Sequence, residues 1–161
     1  MDYNFDGLVK GMDVAQLMAL RKATTKALAK HKQTRKVVFN TSYGGFGLNN
    51  LGQKILKHFD FEYDHAIPRD HPILVRALEM FGDQIYGFAE HASSDFTVEQ
   101  IELAPNETFR ITEYDGNEGI EIIEGTCEPV PPAPDGLEEY LLQFAKDHNL
   151  NQTPWLQIQE K

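Results

Sequence analysis

The segment Asn40-Thr41-Ser42-Tyr43-Gly44-Gly45-Phe46-Gly47 is where residue types and spacing first suggest chemistry. Glycines at three of four positions leave backbone amides unobstructed and allow dihedrals closed to other residues. Where such a turn opens a helix, the helix terminus adds partial positive charge, and an anion can be held there. Tyr43 and Phe46 offer rings on which a nucleotide base could stack. The pattern is not a P-loop, because no Lys-Ser or Lys-Thr follows the glycines. Nor is it the dinucleotide fingerprint, because Gly45 and Gly47 lack a third glycine three residues on. The competing reading is a tight turn that returns Phe46 and Leu48 to the core.

Two further groups bear on the same chemistry. Arg69 shares residues 41–75 with only two other basic side chains, Lys54 and Lys57. Between Pro68 and a helix start, its guanidinium suits a bidentate clamp on a carboxylate or phosphate, or an internal ion pair with Glu113, Asp115 or Asp70. Glu113-Tyr114-Asp115, with Glu118, sets carboxylates at a turn, where they can do acid–base work, hold a cation or simply be solvated. Asp60-x-Glu62-x-Asp64 has the early spacing of a calcium loop, yet His65 stands where that loop needs glycine and His71 where it needs glutamate. His58, His65, His71 and His91 form no helical His-x-x-x-His pair. Cys127 has no basic neighbour in sequence to activate it, and no Gly-x-Ser-x-Gly elbow occurs. Neither a catalytic residue nor a cofactor is therefore indicated. The candidate ligand-binding set is Asn40, Tyr43, Gly44, Gly45, Phe46, Arg69, Glu113 and Asp115.

Val38-Phe39-Asn40, Tyr43-Gly44-Gly45-Phe46-Gly47-Leu48, Ile67-Pro68-Arg69-Asp70-His71-Pro72 and Glu113-Tyr114-Asp115-Gly116 together resemble a family of small uncharacterised proteins of phages, viruses and some bacteria. The resemblance spans about residues 36–124. It implies a strand leading into a tyrosine- and glycine-bearing loop, an arginine before a helix start and a late hairpin, and it implies no activity. Residues 1–35 are additional to the pattern. Gly125-Thr126-Cys127-Glu128-Pro129 replaces a basic, tryptophan-containing stretch.

Several elements must position these residues. Asp13 and Gln16 read as a capping box for a helix over about 13–32. Lys36 to Asn40 is a short β-branched strand, and Asn49 caps a helix on which Leu48, Leu51, Ile55 and Phe59 recur at helical spacing. Phe59 to Asp64 alternates aromatic and acidic residues at strand period. Pro72 opens a helix that Gly82 ends. Val98 to Ile122 then reads as a three-strand meander, turning at Pro105-Asn106 and at Asp115-Gly116. Asp135 and Glu138 read as a capping box for a helix over roughly 136–148. The expected fold is α+β, a small and mostly antiparallel sheet packed on helices. Residues 1–35 would be a basic helical extension, 36–127 the domain, and 128–161 a Pro-rich linker with a helix packed on that domain.

Composition limits the function classes. With 161 residues, 41% hydrophobic and 25% charged, the chain falls in the range of a single globular domain. One cysteine excludes an internal disulfide and a Cys-based zinc site. No apolar run approaches a membrane span, and the first residues lack the order of a signal peptide, so a cytoplasmic protein is expected. The net charge of −10 divides unevenly: residues 1–40 carry +5 and residues 41–161 carry −15. An acidic body repels nucleic acid. Two functions lead, a phage-type binding protein for a small anion such as a nucleotide and an acidic protein that occupies a basic host surface. An enzyme comes third, since no nucleophile–base pair or metal motif is present. The basic helix would meet its own body or join subunits of a homo-oligomer.

Overall fold

The structure is a computed structural model, and it describes residues 11–29, 32–62, 64–87 and 95–151. Its order is α1 (Val14–Ala29), β1 (Gln33–Asn40), α2 (Asn50–His58), α3 (Pro72–Phe81), β2 (Phe96–Leu103), β3 (Glu107–Tyr114), β4 (Asn117–Glu124) and α4 (Leu137–Asp147). Short 3-10 turns lie at Asp64–Ala66 and Gly82–Gln84. Helices and antiparallel strand pairs are segregated, so the class is α+β.

The expected three-strand meander does not form among the described residues. β2 pairs with β1, from Gln33↔Leu103 to Asn40↔Phe96, and β3 pairs only with β4. The apolar run Val37-Val38-Phe39 explains the choice. Paired with β1, β2 widens both of its faces, setting Val98 beside Val38 on one and Ile101 beside Arg35 on the other, and the helices and the hairpin then cover the two faces. The tight turn at Pro105-Asn106, where the Glu107 amide donates to Ala104 O at 2.9 Å, then leads into the separate β3–β4 hairpin.

Three layers result. Val38, Phe96 and Val98 join α2, α3 and α4 in the larger core, with Leu56, Leu74, Leu78, Phe81, Leu141 and Phe144. Val37, Ile101 and Leu103 face the hairpin and pack with Phe109, Ile111, Ile120 and Cys127. Strand alternation accounts for the division, because Val37 and Val38 point to opposite faces. α4 contributes Leu137, Leu141 and Phe144 to the larger core and is part of the domain's packing.

Other expectations are corrected. β1 begins at Gln33, so a boundary after residue 35 cuts through a strand, and Arg35 is buried with its guanidinium on Asp70 at 2.6 Å. Residues 59–62 are not a strand. Phe59 caps α2, Asp60 takes a positive φ of 65°, and the Phe61 amide donates back to Leu56 O at 3.1 Å. Helix termination therefore overrides the alternation of aromatic and acidic residues. The capping box at Asp135 is also absent: Gly136, at φ 79°, holds the N-cap position without a side-chain bond, while Glu138 is paired with Arg76 on α3. Asn49 caps α2 through bonds from the Leu51 and Gly52 amides, and His71 caps α3 with Pro72 in its first turn. Asp13 and Gln16 exchange reciprocal bonds at the start of α1.

Candidate functional site

The glycine loop, the start of α3 and the hairpin tip meet at the end of β1. The hairpin turn forms as its Asp-Gly pair demands, with Asp115 at φ 53° and Gly116 at φ 82°. This turn rests directly on the glycine loop. A Cβ on Gly116 would lie 2.4 Å from Gly44 N and 2.5 Å from Gly45 N, so only glycine permits the approach. Asn117 Nδ2 reaches Thr41 O at 3.5 Å from the same turn.

Asn40 is fully buried, and every polar position of its side chain is used. Its Nδ2 donates to Ser42 O and to Gly116 O, while its Oδ1 accepts from Ser42 Oγ at 3.2 Å and Tyr86 Oη at 3.0 Å. Burial pushes the Tyr86 phenol above its ordinary range, with the nearby Glu118 carboxylate acting in the same direction. The phenol thus stays a protonated donor to Asn40. Asn40 ties β1, the glycine loop, the hairpin turn and Tyr86 together, and no hydrogen-bonding capacity remains for a ligand.

Arg69 meets Glu118, not the partners expected for it. Its Nη2 donates to Glu118 Oε1 at 2.7 Å and its Nη1 to Oε2 at 3.0 Å, a two-bond fork. The guanidinium also lies over the Phe46 ring, 3.6 Å from its centroid, and Phe46 contacts Tyr86 edge-on at 5.4 Å. Asp70 is taken by Arg35, and the Glu113 carboxylate accepts from the Gly116 amide at 3.0 Å within its own turn. Glu118 Oε2 also accepts from the Asn40 amide at 2.9 Å, while Arg69 O accepts from the Val38 amide at 2.9 Å. Both amides lie on the edge of β1 away from β2. One arginine and one glutamate therefore close that sheet edge and bind the hairpin to it.

Of the eight candidate residues, Asn40, Gly44, Gly45, Phe46 and Arg69 come together at this junction, and the side-chain polar groups of Asn40 and Arg69 are engaged within the chain. Tyr43 and Tyr114 are exposed, at 69% and 82%, on the loop and the turn that touch through Gly44 and Gly116. The exposed carboxylates of Glu113 and Asp115 lie beside Tyr114. Glu118 and Tyr86 were absent from the candidate set. Glu118 had a signal: at strand period it shares a face with Ile120, which packs inward, and a carboxylate on that face requires a partner. Tyr86 carried none, since residues 83–96 have no readable pattern. Among the described residues no cluster of His, Cys, Asp or Glu could hold a metal ion, and no helix is long and apolar enough to cross a membrane.

No protein-family model matches the chain, and no curated protein or solved structure matches it.

Proposed function

We propose that the chain is a non-enzymatic binding protein whose hairpin tip engages a basic surface of another protein. One observation carries the reading. The contact of Gly116 with Gly44 and Gly45 leaves two exposed tyrosines and two exposed carboxylates at one end of the molecule. Tyrosine is enriched in protein interfaces, and its ring attracts the cationic side chains that carboxylates also favour. The hairpin carries Glu107, Glu113, Asp115, Glu118, Glu121 and Glu124 against Arg110 as its one cation, which itself pairs with Glu121 at 2.6 Å.

The small-anion reading is less well supported by this geometry. A phosphate or carboxylate at Arg69 would have to displace Glu118, and at the glycine amides it would have to displace Gly116. The first exchange opens a partly buried ion pair, a cost of about 3 kcal/mol before any ligand contact is made.

Titration of a fluorescent polyarginine peptide tests the reading, with polyglutamate as control. Tyr43→Ala and Tyr114→Ala together leave the net charge unchanged. At about 0.5–1 kcal/mol for each exposed cation–ring contact, the double variant should bind roughly tenfold more weakly. Binding equal to that of the parent would show that bulk charge alone holds the peptide, and the tip would lose its role.

A further inference from the structure

The helix α1 presents a face that the described structure leaves uncovered. Val14, Leu17 and Met18 are 69%, 40% and 67% exposed, and at helical spacing they share one side. Lys22 continues that side one turn on, so an apolar patch gives way to a cation along the same face. An isolated helix of 16 residues is marginal in water, and its stability in proteins comes from packing of its apolar side. The same segment carries the excess of positive charge: +5 in residues 1–40 against −15 in the rest. Lys32, just beyond the helix, already pairs with Glu102 on β2 at 2.8 Å, an instance of this complementarity within one chain. The hairpin tip has the reciprocal character, with Tyr43 and Tyr114 to cover aliphatic side chains and Glu113 and Asp115 to meet cations.

We infer that the basic partner of the tip is α1 of a second copy, the two copies exchanging helices in a symmetric dimer. The inference rests on the tip as a binding surface for basic protein and supplies the partner. Two-fold symmetry makes each contact occur twice, since each copy carries both surfaces. Placing α1 against a second α1 instead would set like charges together.

Light scattering after size exclusion, with the whole chain at micromolar concentration, should give twice the 18.3 kDa of one chain. Leu17→Glu with Met18→Glu should return the mass to one chain while far-ultraviolet circular dichroism still reports the folded domain. Tyr43→Ala with Tyr114→Ala should do the same. Carbodiimide coupling of a mixture of ¹⁵N-labelled and unlabelled copies gives a readout on the parent chain itself, independent of whether a variant folds. Mixed-isotope links from Lys22 to Glu113 or Asp115 are expected. A monomeric parent, a dimer unaffected by the helix variant, or coupling confined to single-isotope pairs would each overturn the inference. So would a dimer lost with the helix variant but kept with the tip variant. In all these cases the polyarginine titration still reads the tip on its own, so failure of the dimer and failure of the tip are separable.

Discussion

Arg69 and Glu118 decide how the candidate site is to be understood. Their fork is mostly shielded from water, at 20% and 7% side-chain exposure, and the same carboxylate covers a strand-edge amide. Removing one partner leaves an uncompensated charge in a poorly solvated place. Glu118→Ala should therefore cost about 3 kcal/mol in a urea unfolding experiment, and Arg69→Met combined with Glu118→Leu should cost less than Glu118→Ala alone. Arg69→Lys should lie between parent and Arg69→Met, because an ammonium keeps the charge and loses the two-bond fork. Equal stability of Glu118→Ala and parent would show that the pair is incidental. At this scale the sequence was partly legible. Arg69 stood out by its isolation among acidic and apolar neighbours, but Asp70, its adjacent acid, turns to Arg35 instead. Local proximity suggested the wrong partner because the true one, Glu118, is delivered by a hairpin 49 positions away.

The hairpin and the cap of α3 are the elements most open to test. Gly116 and Gly45 both sit at positive φ, but their surroundings differ. A Cβ at Gly45 enters open space, whereas at Gly116 it meets two loop nitrogens. Gly45→Ala should cost about 1–2 kcal/mol, the penalty of left-handed backbone for an L-residue, and Gly116→Ala distinctly more. Equal costs would mean that the turn does not press on the loop. At the start of α3 the buried His71 Nδ1 accepts from the Ile73 amide at 3.3 Å, which requires the neutral ring. Burial lowers the His71 pKa below its ordinary 6.5, against the opposing pull of Asp70. The folded state thus prefers unprotonated His71. Its contribution is complete above 6.5 and declines as pH falls through the lowered value. Urea midpoints measured from neutral to mildly acid pH should fall more for the parent than for His71→Asn, which keeps an acceptor and cannot titrate. Parallel declines would assign the pH dependence to other groups. Element boundaries set by capping chemistry were legible here: Asn49, Pro72, Gly82 and Asp115-Gly116 all mark real starts, stops or turns. Strand pairing was not. Consecutive strands Phe96–Leu103 and Glu107–Tyr114 looked like neighbours, but the first pairs with β1 and the second packs with its hairpin on the face that Val37 presents, a long-range arrangement that local alternation does not reveal.

For the whole molecule, the uneven charge and the three-layer packing act together. The hairpin is held to the sheet by Val37, Ile101 and Leu103 beneath it and by Glu118 at its tip end, which anchors the backbone of the turn that carries Tyr114 and the exposed carboxylates. A rigid, pre-organised tip loses less entropy on binding than a mobile loop would. The charge division was visible in the sequence from simple counting, whereas the meeting of the segments that carry Tyr43 and Tyr114, 71 positions apart, depends on Gly116 reaching the glycine loop. The most direct measurement is an NMR titration of the ¹⁵N-labelled chain with an arginine-rich peptide, following every backbone amide. Shifts concentrated at Tyr43 to Phe46 and Glu113 to Asn117, with Asn40 and the Arg69–Glu118 pair little changed, are expected of docking on an intact tip. Shifts spread evenly over the acidic surface, or centred on α2 and α4, would contradict the tip as the binding site.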